Sequence, residues 1–249
     1  MNDEATATYR RREMKENIDE ISRLVTETLA AAVTAGSRAG ADARLVAVSK
    51  YKPASDIQAA YDAGQRHFGE NYVKELLEKA PQLPSDIKWH FIGNLQRNKC
   101  KMLAAIPNLW AVETIDSEAK ARTMDAAWSS AGHAAPLNVF IQVNTSAEQS
   151  KGGVEADSVV QVAKAVHNSC PSLRLLGLMT IGSVEGSHTR PNPDFLALAQ
   201  LRDQVNAELG VAGLELSMGM SGDFEHALEI GSTNVRVGSR LFGSRPKKN

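Results

Sequence analysis

The stretch Arg44-Leu45-Val46-Ala47-Val48-Ser49-Lys50 is a short aliphatic run that ends in a lysine. Runs of this kind are typical of a strand that is buried on both faces of a parallel sheet. The residues from Tyr51 to Ser55 lead into a segment with helical spacing, so the run predicts the strand of a strand–turn–helix unit. Parallel-sheet proteins place their chemistry at the carboxyl ends of strands, and Lys50 is therefore predicted to be a functional residue.

The alternation of strand-like and helical runs continues along the chain. Predicted strands cover Leu45–Ser49, His67–Gly69, Trp89–Gly93, Leu109–Val112, Leu137–Val143, Leu173–Met179, Leu214–Ser217 and Val235–Val237. Predicted helices cover 9–34, Ser55–Ala63, Val73–Lys79, Gln96–Ala105, Ser117–Ala131, Asp157–Asn168, Pro193–Leu209 and Asp223–Ile230. Eight strands joined by helical crossovers predict an α/β fold, a (β/α)₈ TIM barrel with an additional N-terminal helix. An open doubly wound sheet is the alternative, but no Gly-x-Gly-x-x-Gly turn follows the first strand.

Length and composition favour a single domain without a nucleic-acid or membrane partner. A chain of 249 residues has the usual length of one such barrel. We predict one domain over residues 1–249, with flexible tails at 1–8 and 245–249. The net charge of −1 argues against nucleic-acid and membrane-surface binding. Apolar runs fall short of the roughly 20 residues of a membrane span, and a cytoplasmic location is expected, with a mitochondrial fraction left open.

The predicted strand ends carry polar side chains that would converge at one end of the barrel. They are Lys50, Glu70, Asn71, Asn94, Glu113, Asn144, Thr180, Ser217 and Arg236. They show no metal-ligand spacing. Apolar surroundings favour the neutral amine of a lysine, which can attack an aldehyde. The natural partner is pyridoxal 5′-phosphate, whose binding needs a lysine, a phosphate cradle and a group facing the pyridine nitrogen. The alternative is that Lys50 extends into solvent or pairs with Glu70.

Two glycine- and serine-containing turns are candidates for the phosphate cradle. Ser217-Met218-Gly219-Met220-Ser221-Gly222-Asp223 follows the seventh strand, and Gly238-Ser239 follows the eighth. These loops are neighbours in a closed barrel and form the phosphate site of many barrels. The alternative is an ordinary strand–turn–helix connection in which Ser221 caps the helix.

Arg236 is an unusual residue for a strand, since it lies between Val235 and Val237. If it points inward, it can approach the pyridine nitrogen of the cofactor. A fixed cation there would keep that nitrogen unprotonated and weaken the ring as an electron sink. The alternative is an arginine paired with Glu215 or Glu229 on the outside.

Taken together, these segments resemble the pyridoxal phosphate homeostasis protein family, which is similar to the barrel domain of alanine racemase without its second domain. The matching segments are 45–50, 67–72, 89–99, 144–152, 177–181, 217–223, 235–238 and 242–243. The resemblance implies that Lys50 carries a Schiff base and that Ser217 and Gly238 hold the phosphate, with Ser221 and Ser239 as additional ligands. It also implies that Arg236 faces the ring nitrogen and that Asn71 and Met179 line the ring.

The expected function is that of a cofactor carrier without strong catalysis of its own. Racemisation needs an acid/base group on each face of the reacting carbon, and only Lys50 is evident for this role. Alanine racemase takes its second group from an additional domain of a partner subunit, which we do not expect here. The alternatives are a racemase or decarboxylase with the same cofactor, and a phosphate-sugar barrel enzyme with a lysine Schiff base but no pyridoxal.

Partners and assembly are expected to be simple. We expect a monomer that binds pyridoxal 5′-phosphate and passes it to apo-enzymes that need the cofactor. Lys151, in the loop after the fifth strand, is a candidate second amine near the mouth, although a solvated loop lysine is the favoured interpretation. The irregular loop 182–193 follows the sixth strand, where a surface loop is favoured over a lid.

Overall fold

A closed barrel of eight parallel strands forms the centre of the protein. The computed structural model describes residues 3–34, 43–148 and 151–243. The strands are β1 Arg44–Val48, β2 His67–Glu70, β3 Lys88–Phe91, β4 Leu109–Ile115, β5 Leu137–Gln142, β6 Leu173–Met179, β7 Glu215–Ser217 and β8 Asn234–Val237. Each strand pairs with its neighbour in the sequence, and β8 pairs with β1. The predicted barrel is therefore confirmed, and the open sheet is excluded.

Nine helices of four residues or more are described around the barrel. They are α1 Asp3–Thr34, α2 Ala54–Asp62, α3 Val73–Lys79, α4 Cys100–Ala104, α5 Glu118–Ser130, α6 Val159–Ser169, α7 Pro193–Leu209, α8 Phe224–Ile230 and α9 Ser239–Phe242. Short 3₁₀ turns cover Ala80–Gln82, Arg97–Lys99, Ala156–Ser158 and Gly186–His188. Within this described part of the chain, no helix is both long and apolar enough to cross a membrane.

Several boundaries differ from the sequence prediction. The first helix begins at Asp3, so residues 3–8, which we predicted to be part of a flexible tail, are helical. The predicted tail at 245–249 lies outside the described residues. The strand β4 continues to Ile115 because Thr114 and Ile115 are β-branched residues that favour a strand. As a result, Glu113 lies inside the strand instead of at its end.

Apolar side chains fill the space between the barrel and its helices. The strands contribute Phe68, Trp89 and Phe91, which are all buried. The first helix packs against α2, α8 and α9, and it buries Ile18 and Ile21 on the side that faces them. The additional N-terminal helix is therefore an integral layer that covers the barrel where β8 meets β1.

A glycine allows the closest backbone approach between β6 and β7. A Cβ atom added to Gly177 would lie 2.1 Å from the carbonyl oxygen of Glu215. Since a backbone carbonyl in a paired strand cannot move aside cheaply, the strand pair depends on this glycine.

We expect Gly177→Ala to lower the free energy of unfolding by about 2 kcal/mol or more, because the added methyl group forces the two strands apart. Urea denaturation monitored by circular dichroism measures the change. Gly152→Ala is the matched control, since its Cβ would lie 3.8 Å from the nearest atom, the amide nitrogen of Gln142. Equal stability of the two variants would contradict the packing argument.

Candidate functional site

A cavity of about 370 Å³ opens at the carboxyl ends of the strands. Lys50 lies two residues after the end of β1, Asn71 lies directly after β2, and Met179 ends β6. These residues come from separate strands, and the closed barrel brings them to one chamber. The cavity thus lies at the end of the barrel that the sequence predicted to be functional.

Seven of the eight predicted site residues line this cavity. They are Lys50, Asn71, Met179, Ser221, Arg236, Gly238 and Ser239. The eighth, Ser217, is 0 % exposed and is absent from the lining residues that the structure describes. Its hydroxyl donates to Glu113 Oε2 at 2.5 Å and accepts from Asn234 and Arg236. This hydroxyl has no remaining capacity to bind a phosphate.

Sequence reasoning missed several lining residues. They are Val48, Lys52, Ile92, Ile181, Met220, Gly222 and Gly243. Lys52 is the polar member of this set, and its ammonium group donates to the carbonyl oxygen of Phe242 at 2.6 Å. The sequence could have indicated Lys52 as a lining residue, because it lies two residues after Lys50 and before the start of α2. Val48 and Ile92 lie within strands that we had predicted, and Met220 and Gly222 belong to the turn that we had predicted as a phosphate cradle.

Arg236 points into the barrel, in agreement with the inward alternative. Its guanidinium group donates to Ser217 Oγ at 2.6 Å and to the carbonyl oxygen of Thr180 at 2.8 Å. The residue is only 4 % exposed. Burial lowers the pKa of Arg236, and the charges of Glu113 and Asp223 oppose this effect. The outside pairs with Glu215 or Glu229 do not form, because Glu215 binds Arg44 and Glu229 binds His226.

Glu113 is the anion that accompanies this buried cation. Its carboxylate accepts from Ser217, from Asn234 at 3.1 Å and from Nδ1 of His90 at 2.5 Å. Burial alone would raise the pKa of Glu113, but the hydrogen bond from His90, the charge of Arg236 and the hydrogen bond from Ser217 outweigh it and lower the pKa. The group is therefore held as a carboxylate inside the barrel.

Two histidines extend this network. Since Nδ1 of His90 donates to Glu113, its Nε2 is left to accept, and it accepts from Nδ1 of His67 at 2.8 Å. Burial lowers the pKa of His90, although Glu113 opposes the shift. Burial lowers the pKa of His67 to about 2, and the positive charge of Arg44 acts in the same direction. Both rings are thus neutral, as expected for hydrogen-bonded core histidines.

The network reaches the other end of the barrel through Arg44. This residue begins β1 and forms a two-bond ion pair with Glu215, at 2.6 and 3.0 Å. It also donates to Asn234 at 3.1 Å and stacks over the ring of Trp110 at 4.5 Å. A continuous chain of hydrogen bonds therefore crosses the barrel interior from its amino end to the cavity.

The loops after β7 and β8 meet at one wall of the cavity. The hydroxyl of Ser221 accepts from the backbone N–H of Gly238 at 3.2 Å. Asp223, and not Ser221, precedes the first residue of α8, and it accepts from the N–H of Met220 at 2.7 Å. The alternative in which Ser221 caps the helix is therefore wrong. A Cβ on Gly238 would lie 3.3 Å from Val48, so the glycine keeps this wall open.

The second amine candidate does not reach the cavity. The ammonium group of Lys151 donates to Glu148 at 2.8 Å and to the carbonyl oxygen of Gly182 at 2.7 Å. It links the loops after β5 and β6 and does not belong to the lining residues that the structure describes. The loop 182–193 is itself anchored, since Asp194 accepts from the N–H and hydroxyl of Ser183.

The lining residues fit a phosphorylated pyridine aldehyde. The side-chain oxygen of Asn71 is buried and has no hydrogen-bond partner within the described residues. An amine, an arginine, and two serines beside two glycines line the same chamber. The side-chain oxygen of Asn71 is therefore available to accept a hydrogen bond from a bound molecule.

Comparisons with known proteins agree with this geometry. The family described as alanine racemase, N-terminal domain, matches residues 28–246. The barrel and its site therefore define a protein of the alanine racemase N-terminal-domain class.

Curated relatives narrow the assignment. The pyridoxal phosphate homeostasis protein of Schizosaccharomyces pombe is 51 % identical over 208 residues, which cover 83 % of this chain and 86 % of that protein. The human pyridoxal phosphate homeostasis protein is 49 % identical over 210 residues, covering 81 % of this chain and 76 % of that protein. The structure of PipY of Synechococcus elongatus with PLP bound is 30 % identical, with a TM-score of 0.68, and covers 88 % of this chain and 100 % of that chain. The chain belongs to the pyridoxal phosphate homeostasis protein family.

The two hydrogen-bonded histidines inside the barrel predict a pH dependence of stability. In the unfolded chain a histidine binds a proton near its ordinary pKa of about 6.5. In the folded protein His67 stays neutral down to a pKa of about 2. Lowering the pH below 6.5 therefore stabilises the unfolded state, by at most about 1.4 kcal/mol per pH unit for each such histidine.

We expect the free energy of unfolding to fall less steeply between pH 6.5 and 5 in His67→Asn than in the unsubstituted protein. Asparagine retains a donor toward His90 but does not titrate. Urea denaturation at several pH values measures the slope. The exposed His188→Asn is the matched control, and an unchanged slope in His67→Asn would show that His67 is not the titrating group.

Proposed function

We propose that this protein binds pyridoxal 5′-phosphate covalently through Lys50 and maintains the intracellular pool of the cofactor. The single observation that carries this proposal is the convergence of Lys50, Arg236 and the loops after β7 and β8 on one cavity. The names of the relatives and the bound PLP of PipY support the same conclusion.

Each part of the cavity has a role toward the cofactor. The amine of Lys50 attacks the aldehyde carbon, a C=N bond forms, and the aldehyde oxygen leaves as water, so no oxidant is needed. Gly222, Gly238, Ser221 and Ser239 bind the phosphate, while Arg236 faces the pyridine nitrogen. Ser217, which the resemblance assigned to the phosphate, instead orients Arg236 from behind.

The described lining favours a carrier over a racemase. Bound pyridoxal 5′-phosphate acts as an electron sink that labilises bonds at the α-carbon of amino acids. Among the lining residues that the structure describes, the ionisable side chains are Lys50, Lys52 and Arg236. Arg236 is fixed as a cation, and the amine of Lys52 donates to a carbonyl oxygen. A tyrosine, histidine, cysteine or carboxylate that could serve the second face is missing from this set.

Release of the cofactor follows from the same arrangement. An incoming amine, either free or on an apo-enzyme, takes the aldehyde from Lys50 by exchange at the open mouth. The protein thereby limits free aldehyde and supplies apo-enzymes. Its predicted monomeric state and cytoplasmic location stay predictions.

We expect the purified protein with added pyridoxal 5′-phosphate to show a visible absorption band that Lys50→Ala abolishes, because the C=N bond needs the amine. Borohydride reduction followed by peptide mass spectrometry locates the modified residue. Lys151→Ala is the control and should keep the band. Modification at a lysine other than Lys50 would overturn the assignment.

We expect no exchange of the α-hydrogen of alanine at enzymatic rates in deuterated water, because the Arg236 cation, fixed by Ser217 and Thr180, would keep the pyridine nitrogen unprotonated and so weaken the ring as an electron sink. Proton NMR of the amino acid, with the holo protein at micromolar concentration, measures the exchange. Rapid exchange that Lys50→Ala abolishes would establish the competing function, a racemase.

A further inference from the structure

A buried cluster of charges lies behind the turn that carries Lys50. It consists of Glu70 at the end of β2 and of Glu75 and Lys79 on α3. The ammonium group of Lys79 donates to Glu70 Oε1 and to Glu75 Oε2, both at 2.7 Å. Lys79 and Glu70 are buried, and none of the three lines the cavity. The binding of the cofactor described above does not use this cluster.

The cluster holds the peptide bonds on both sides of Lys50. On the side that precedes Lys50, Lys79 donates to the carbonyl oxygen of Ser49 at 3.1 Å, and the Ser49 hydroxyl donates to Glu70 at 2.7 Å. On the side that follows it, the backbone N–H of Tyr51 donates to Glu75 Oε2 at 2.9 Å. The same oxygen of Glu75 accepts from Lys79, so one cation connects both attachments.

The turn needs this support because its backbone is strained. Tyr51 has a φ of 63°, in the left-handed region that a residue with a Cβ rarely adopts. Such a conformation persists only when the surroundings impose it. The bond from the Tyr51 N–H to Glu75 does so, and the phenol of Tyr51 also contacts the phenol of Tyr72.

We propose that Glu75 and Lys79, together with Glu70, are positioning residues that fix both peptide bonds flanking Lys50 and so aim its amine into the cavity. The inference rests on Lys50 being the residue that bonds to the aldehyde. In this inference the α3 side chains do not contact the cofactor. They affect its binding by holding the backbone on both sides of Lys50.

The decisive comparison is between two substitutions of Glu75, whose side chain is 23 % exposed and so tolerates replacement. Glu75→Ala removes the acceptor for Tyr51 and Lys79. Glu75→Gln keeps a carbonyl oxygen that can accept both bonds. We expect Glu75→Ala to weaken the apparent affinity for pyridoxal 5′-phosphate about tenfold, and Glu75→Gln to stay within about threefold of the unsubstituted protein.

A second readout separates positioning from general damage. At saturating pyridoxal 5′-phosphate, borohydride traps the fraction of cofactor that is bonded to Lys50, and mass spectrometry counts it. We expect this fraction to fall in Glu75→Ala and to recover in Glu75→Gln. The unfolding midpoint of each cofactor-free variant, measured in parallel, shows that the protein is folded.

Matched controls come from the same helix. Glu78→Ala and Lys74→Met remove an exposed pair on α3, in which Glu78 is 62 % exposed, and should leave affinity and trapping unchanged. Lys79→Met is the second test variant and should lower the trapped fraction as Glu75→Ala does. Trapping and affinity in Glu75→Ala equal to those of Glu78→Ala would overturn the proposal. Absence of trapping at Lys50 in the unsubstituted protein would instead overturn the function proposed above.

Discussion

The burial of one cation constrains the whole interior of the barrel. The guanidinium group of Arg236 is removed from water, and an ion in that position must be surrounded by acceptors and accompanied by an opposite charge. Ser217 and the carbonyl of Thr180 supply the acceptors, and Glu113 supplies the charge. Glu113 in turn requires donors, which are His90 and Asn234. The polar side chains inside the barrel can be derived from this requirement one after another.

Two buried charge clusters therefore support two different parts of one cavity. The cluster around Arg236 fixes the guanidinium group of this residue at one side of the chamber. The cluster around Lys79 fixes the backbone on each side of Lys50. Among the residues of these two clusters, Arg236 lines the chamber, and the others lie behind its walls. A small site with few polar groups is thus maintained by a larger number of polar groups behind it, as in other preorganised sites.

The sequence was sufficient for the architecture and for half of the residues that line the cavity, but not for the polar contacts behind them. Periodicity in the strands and helices identified the barrel, because aliphatic runs that end in polar residues recur eight times. Strand ends converge in any parallel barrel, so Lys50, Asn71 and Arg236 could be assigned to one end.

The support behind the lining depends on contacts that periodicity does not report. Ser217 looks like a phosphate ligand in the sequence, yet three partners from other strands saturate its hydroxyl. Lys79 has the spacing of an ordinary helix lysine, and only the packing of α3 beneath the turn after β1 reveals its contacts. The 3₁₀ turn at Arg97–Lys99 is a further local departure, since it lies inside the predicted helix Gln96–Ala105.

The interior hydrogen-bond chain joins side chains from β1, β2, β3, β4, β7 and β8, through Arg44, His67, His90, Glu113, Ser217 and Asn234. A barrel of repeated strand–helix units invites recombination, in which one unit is exchanged for its counterpart from another barrel. In this protein such a graft would separate a donor from its acceptor on another strand. The interchangeable modules are therefore groups of units that carry complete donor–acceptor sets, and β5 and β6 are the strands that contribute no side chain to this hydrogen-bond chain.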